Sequence, residues 1–301
     1  IPDITDKGAV YFGVAYALNR VITGFMYQRV RHLQPDENKL TYEMSRNFYC
    51  AALVFMVAAF LPSPFNMLLF ALCLFAMQVS FFHGRWGVMR LDRFRPRIAH
   101  ISERFALLFL IVMGEGFFKL VVTLSEKGVY KAGPDILVNF FVGGVSIFAL
   151  TWLYFDTVGN ALPRADNKWM RARWWYAHLL ILLAAIMIGV ALKAEVKVGM
   201  FEQYPFKYAA LGCFGLVVFI GCLATIQSAN EPTMAQKFYT RGVQLFGIVM
   251  SMVTLAAVPF VPSLLANILF GIAIYSQLLV PILRASRAIS GEENPFVVGR
   301  D

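Results

Sequence analysis

Apolar residues in this chain gather into nine long blocks separated by short polar links. The blocks run approximately over 9–30, 42–61, 65–83, 100–124, 135–158, 173–194, 206–228, 240–260 and 263–287. A helix needs about 20 apolar residues to cross a ~30 Å hydrocarbon core. Within that core a helix satisfies its own backbone hydrogen bonds, which an isolated strand does not. The pattern therefore predicts an all-α fold, a polytopic integral membrane helical bundle with about nine transmembrane helices, as a single domain over 1–301. Two links are very short and rich in proline: Leu61-Pro62-Ser63-Pro64 and Pro259-Phe260-Val261-Pro262. Proline has no N–H with which to continue a helix. The second and third blocks, and the eighth and ninth, are therefore expected to form antiparallel hairpins.

Composition sharpens this picture. The chain is 59% hydrophobic and 15% charged, with a mean hydropathy of +0.63. A soluble domain is about 45–50% apolar and ~25% charged. The net charge of +9 invites a nucleic-acid reading. The basic residues lie in short loops between blocks and form no continuous patch or known module, so no nucleic-acid partner is expected. With the first residue placed outside, 18 of the 27 Lys and Arg fall in inner loops and 6 in outer ones. This bias predicts a cytoplasmic C-terminus. The longest inner loop carries Arg85, Arg90, Arg93, Arg95 and Arg97. Binding of anionic lipid heads and plain orientation signalling both account for it. Trp169, Trp174 and Trp175 are expected in an interfacial aromatic belt. Cys50, Cys73, Cys213 and Cys222 show no metal-type spacing and read as buried free thiols.

Charged groups inside the blocks carry the candidate chemistry. Glu115 lies in the middle of an apolar run, where a charge costs about 2.5–3.5 kcal/mol on insertion scales. A partner is therefore required. Arg20, at similar depth in the first block, is the leading expectation, because an Arg clamps a carboxylate bidentately. Lys119, one turn away on the same helix face, is the alternative. Gly114 and Gly116 flank the acid and fit close helix packing or the approach of a ligand.

A second polar layer is expected nearer the inner side: His100, Glu103 and Arg104 at the start of the fourth block, Asp156 ending the fifth, and His178 in the sixth. A structural hydrogen-bonded network, a proton relay and metal ligation remain open for it. Its spacing matches no metal motif, so no metal site is assigned. Asn19, Gln78, Asn139, Gln227, Gln244, Asn267 and Gln277 read as hydrogen-bonding between helices, and Pro281 as a kink. No phosphate loop, dinucleotide fingerprint, nucleophile elbow or HExxH motif is present, so the chain is not expected to be an enzyme, and no cofactor is named.

Four ordered segments resemble the low temperature requirement protein A (LtrA) family. His100-Ile101-Ser102-Glu103-Arg104-Phe105, followed by an apolar run into Gly114-Glu115, resembles its HxxERF…LGE signature. Ala15-Tyr16-Ala17-Leu18-Asn19-Arg20 resembles its AY-x-L-x-R segment, and Trp152-Leu153-Tyr154-Phe155-Asp156 its W-x-YFD segment. Tyr176-Ala177-His178 resembles its YxH span start. The resemblance implies a bacterial inner-membrane protein and directs attention to Arg20, Glu115 and the inner layer, but it implies no mechanism. The family's opening ELFFDL segment is absent, which leads to the expectation of further spans upstream. Glu115 is followed by Gly rather than a small hydroxyl residue.

Two functions lead, ahead of a third, an intramembrane enzyme using the histidine and carboxylate layer. One is a secondary transporter or ion-coupled carrier using the intramembrane charge pair. The other is an accessory subunit of a larger membrane complex, whose charges lock helices together. Membrane lipids are partners in both, and other membrane subunits in the second.

Overall fold

The structure is a computed structural model that describes residues 7–33, 38–82, 98–128, 133–159, 168–230 and 237–289. All nine apolar blocks are helical. They are α1 (Lys7–Leu33), α2 (Asn38–Ala59), α3 (Phe65–Phe82), α4 (Ile98–Lys127), α5 (Pro134–Tyr154), α6 (Lys168–Glu195), α7 (Phe206–Ala229), α8 (Arg241–Ala257) and α9 (Ser263–Ile289). Among the described residues, seven are long and apolar enough to cross a membrane: α1 and α4 to α9. The other two helices, α2 and α3, lie in the remaining two apolar blocks. Asn38–Asn47 of α2 carries Lys39, Glu43 and Arg46, which leaves an apolar part, Phe48–Ala59, of only about 18 Å at 1.5 Å per residue. Helix α3 carries no charged residue over Phe65–Phe82, 18 residues or about 27 Å at 1.5 Å per residue.

The chain divides into two compact units, Ile1–Arg95 and Pro96–Asp301. In the first, α1 packs along α2, and α2 against α3 across the proline link. Phe55 is fully buried between the Tyr16 ring (centroids 4.1 Å apart) and the Phe70 ring (5.0 Å). A Cβ added at Gly13 would lie 2.6 Å from the Cβ of Ala59, so only glycine lets α1 and α2 touch there. Ser45 and Tyr49 of α2 tie back to α1, donating hydrogen bonds to the Gly24 carbonyl (2.9 Å) and to Gln28 Oε1 (3.0 Å). Cys50 is exposed, contrary to the expectation of burial, whereas Cys213 and Cys222 of the second unit are buried.

In the second unit six helices pack in a closed circuit: α4 on α6, α6 on α7, α7 on α8, α8 on α9, α9 on α5 and α5 on α4. Local sequence explains the ends. Gly128, at φ 80°, takes the left-handed conformation that stops α4. Pro134 sits in the first turn of α5 with Asp135 beside it, suiting the missing N–H and the helix dipole. The loop between α6 and α7 caps α9 in turn: the Ser263 N–H donates to the Glu202 carbonyl (2.8 Å) and the Leu264 N–H to that of Met200 (3.0 Å).

Close approach relies on small residues, as membrane helix interfaces require. Gly116 of α4 faces Gly189 of α6, where a Cβ on Gly189 would come 3.5 Å from the Gly116 Cα. Gly114 meets nothing within 4 Å, so packing explains only one of the glycines flanking Glu115. Trp174 also departs from expectation. It is buried, packing edge-on against Phe105 and beside His178, because its face of α6 meets α4 and not the membrane surface.

Candidate functional site

Helix α5 departs from α-helical geometry where the sequence places its acid. It continues past Tyr154 as one π-helical turn, Phe155–Gly159, which holds Asp156. Such turns leave an extra residue per turn and often accompany function. Asp156 accepts a hydrogen bond from the Trp152 indole N–H at 2.7 Å. Asp156 and Thr157 form one wall of a cavity of about 110 Å³, and Gln277, Pro281 and Tyr239 face them. Pro281 lies inside α9 and removes a helix hydrogen bond at the same level. Tyr239 donates to Gln277 Oε1 (2.9 Å), and Gln277 donates to the Val243 carbonyl (2.9 Å). Burial holds the Tyr239 phenol above its usual range, so its O–H remains a donor.

Polar contacts continue along the same two helices. At mid-seam, Ser146 Oγ and Tyr275 Oη lie 3.0 Å apart. At the far end, the Asn267 amide donates to Asn139 Oδ1 (3.1 Å). A groove of about 540 Å³ follows this upper half, between Val138 and Val142 on α5 and Leu264 and Val280 on α9. Asn139 also donates to the carbonyls of Glu195 (3.2 Å) and Val198 (3.0 Å), which closes the end of α6. Asn267 hydrogen-bonds the Glu195 side chain as well. The inter-helix role expected of Asn139, Asn267 and Gln277 is therefore observed, as is that of Gln244, which donates to Gln227 Oε1 at 2.6 Å.

The charged residues singled out from sequence are distributed over both units. Glu115 pairs with Lys119 of its own helix at 3.1 Å, on the outer face of α4, with side chains 60% and 50% exposed. Arg20 belongs to the other unit. There its guanidinium lies over the rings of Tyr16 (4.4 Å) and Phe48 (5.5 Å), an arrangement in which ring quadrupoles stabilise the cation. The inner layer is split. His100 Nδ1 lies 3.8 Å from Glu103 Oε2 and His100 Nε2 3.5 Å from Arg104 Nε, all on an exposed face. Asp156 faces the α5–α9 cavity, and His178 is buried in the core. His178 Nδ1 lies 2.8 Å from the Trp174 carbonyl, and its ring stacks on Phe105 at 4.9 Å. Among the described residues, no group of three or more His, Cys, Asp and Glu is placed to hold a metal. The basic loop of Arg85, Arg90, Arg93, Arg95 and Arg97 lies outside the described residues.

Glu195 was missed by the sequence reading because it sits between Lys193 and Lys197 at a helix end, where an acid reads as interfacial. The signal was periodic. Glu195 continues the buried stripe of Ile181, Ala184, Ile188 and Leu192 at spacings of three and four.

These features define a polytopic helical membrane protein with a polar seam between two distorted helices. Residues 1–285 match the model for the bacterial low temperature requirement A protein (LtrA), and the chain belongs to that family. No curated protein and no solved structure matches it.

Proposed function

We propose that this chain is a secondary carrier of the bacterial cytoplasmic membrane and that its path follows the seam between α5 and α9. One observation supports this reading above others: polar contacts and hollows follow these two helices from Asn139–Asn267 to Asp156–Pro281. A seam that served packing alone would be filled by apolar side chains at lower cost. Irregular backbone, here a π turn facing a proline, is tolerated at membrane depth where it lines a cavity. Asp156 supplies the negative charge along this route and suits a proton, a metal cation or an amine. The orientation follows the basic loops, with the C-terminus cytoplasmic.

Alternating access is tested with single cysteines in a chain whose four native cysteines are replaced. Only a thiolate reacts, and it forms in water, so Ser276→Cys in the seam should label with a charged thiol reagent at least about tenfold faster than Phe141→Cys on the outer face. Labelling of Ser276→Cys from both sides of the membrane is expected of a carrier. Failure to label from either side would reject the path.

The Glu115–Lys119 pair favours a second reading, a subunit that docks on a partner. An ion pair set among exposed Leu108, Ile111 and Phe118 stands ready for a protein surface of matching polarity. Replacing both residues together (Glu115→Gln, Lys119→Met) should leave the Tm within about 2 °C, since an exposed helical pair contributes only ~0.2–0.5 kcal/mol. On this reading the variant runs as a smaller species in native electrophoresis. Unchanged migration would leave the pair without an assembly role.

A further inference from the structure

The cavity of about 110 Å³ at the Asp156 end of the α5–α9 seam has a wall of two kinds. Carbon makes up most of it, from Leu153, Phe238, Leu278, Pro281, Ile282 and Ala285. Its polar side chains are Asp156, Thr157, Tyr239 and Gln277, and no Lys, Arg or His lines it. Asp156 is exposed, and among the described residues it has no ionic partner. Its carboxylate is met there only by the Trp152 indole, at Oδ2. Arg284 of α9 is held by Thr240 instead, donating to its Oγ1 at 2.8 Å.

Every polar side-chain hydrogen of the other three is already directed at the protein. Thr157 donates to the Leu153 carbonyl and Tyr239 to Gln277 Oε1 (2.9 Å). The Gln277 amide donates to the Val243 carbonyl (2.9 Å) and to Ser276 Oγ (3.2 Å). What the wall retains for a guest is acceptors. These are the second Asp156 oxygen, the lone pairs of Tyr239 Oη, and the Gln277 backbone carbonyl, to which Pro281 has no N–H to give.

A primary ammonium group carries one positive charge and three N–H donors with no acceptor, so it matches this set in both charge and hydrogen bonding. A hard divalent metal ion does not, because it takes six or more oxygens, and six of the ten lining residues offer carbon. A proton requires no cavity. The space admits several water molecules and hence a short alkyl chain, whose burial against the carbon wall is favourable. We propose that this cavity binds a short-chain primary alkylammonium ion, with Asp156 as its counter-ion. As the substrate class of the carrier this rests on the reading above; as a binding site it is tested independently of transport.

The test uses the full chain in detergent at about pH 7, where an alkylamine is charged. The four native cysteines are replaced, and Ala285→Cys reports from the cavity wall. Its reaction with methyl methanethiosulfonate is timed in n-butylammonium chloride, in NaCl of the same ionic strength, and in butan-1-ol. A bound guest shields the thiol, so butylammonium at about ten times its half-protecting concentration should slow labelling about tenfold. NaCl and butan-1-ol are expected to leave the rate unchanged, and Asp156→Asn to abolish the protection. No slowing at about 100 mM butylammonium, enough to fill even a site with a Kd of ~10 mM, would overturn the proposal, as would equal slowing by NaCl or butan-1-ol. If Asp156→Asn does not fold, the comparison with butan-1-ol decides the matter, since it leaves Asp156 in place. Protection in a chain whose Ser276→Cys stays closed to labelling supports the site and removes the carrier. No protection where Ser276→Cys labels from both sides refutes the amine and keeps the carrier.

Discussion

Gly212→Leu is expected to unfold the second unit at a temperature lower by roughly 10 °C, a loss of at least about 3 kcal/mol. Gly212 of α7 faces α6, where a Cβ would stand only 2.8 Å from the Cβ of Ala191. Neither atom has a torsion by which to move aside, so the two helices must separate. The same interface is held one turn on by Gly215, where a Cβ would sit 3.1 Å from the backbone oxygen of Ala184. Separation would therefore break contacts along Ile188, Ala191 and Leu216, all in the core. The control lies in the same helix. A Cβ at Gly221 meets nothing within 4 Å, and Gly221→Leu should be neutral or slightly stabilising, since leucine is the better helix former. Thermal unfolding is followed by a thiol-reactive dye reporting Cys213 and Cys222, with Cys50 and Cys73 replaced. Equal Tm values for the two variants would refute close α6–α7 contact.

Asn139→Leu is expected to cost about 2–4 kcal/mol, or ~5–15 °C in the same assay. It removes the donor that serves the Glu195 and Val198 carbonyls and the acceptor for Asn267, leaving three buried groups without partners. Each costs about 1–3 kcal/mol in a sealed interior, but membrane proteins recover part of this through alternative partners, so the net loss is smaller than the sum. Asn139→Asp keeps the shape but sets a carboxyl against the Glu195 and Val198 carbonyls, so it should cost at least as much. A Tm within 1 °C of the native chain would mean that the end of α6 is satisfied without Asn139.

The fold was largely legible because hydrophobic blocks and proline links are local signals. Pro62 and Pro64, and Pro259 and Pro262, mark the two hairpins correctly. The second block differs from the others in the distribution of its polar residues: Glu43, Ser45, Arg46 and Asn47 lie together at one end of α2. Trp174 misled because belt and core tryptophans are alike in sequence, and only the contact with Phe105 separates them.

The candidate site was less legible. Depth along a helix follows from sequence position, but the direction a side chain faces relative to other helices does not. Asp156 was found because an acid beside an apolar span is conspicuous. The π turn that carries Asp156, and the placing of Pro281 on the wall of the same cavity, are set by the folded chain and not by a local signal. Glu195 was hidden because its flanking lysines resemble those of any interfacial helix end.

By itself the sequence determined an all-helical membrane chain, its hairpins and the polar residues that must find partners. These follow from the length of apolar runs and the free energy of placing polar groups in hydrocarbon, which are properties of a single segment. Tertiary structure alone decided which groups meet across helices: the Phe48 ring for Arg20, Asn267 for Asn139, and a buried carboxyl at Glu195. Such pairings depend on how helices distant in sequence are turned about their axes, and that rotation is set by contacts such as Gly212 against Ala191.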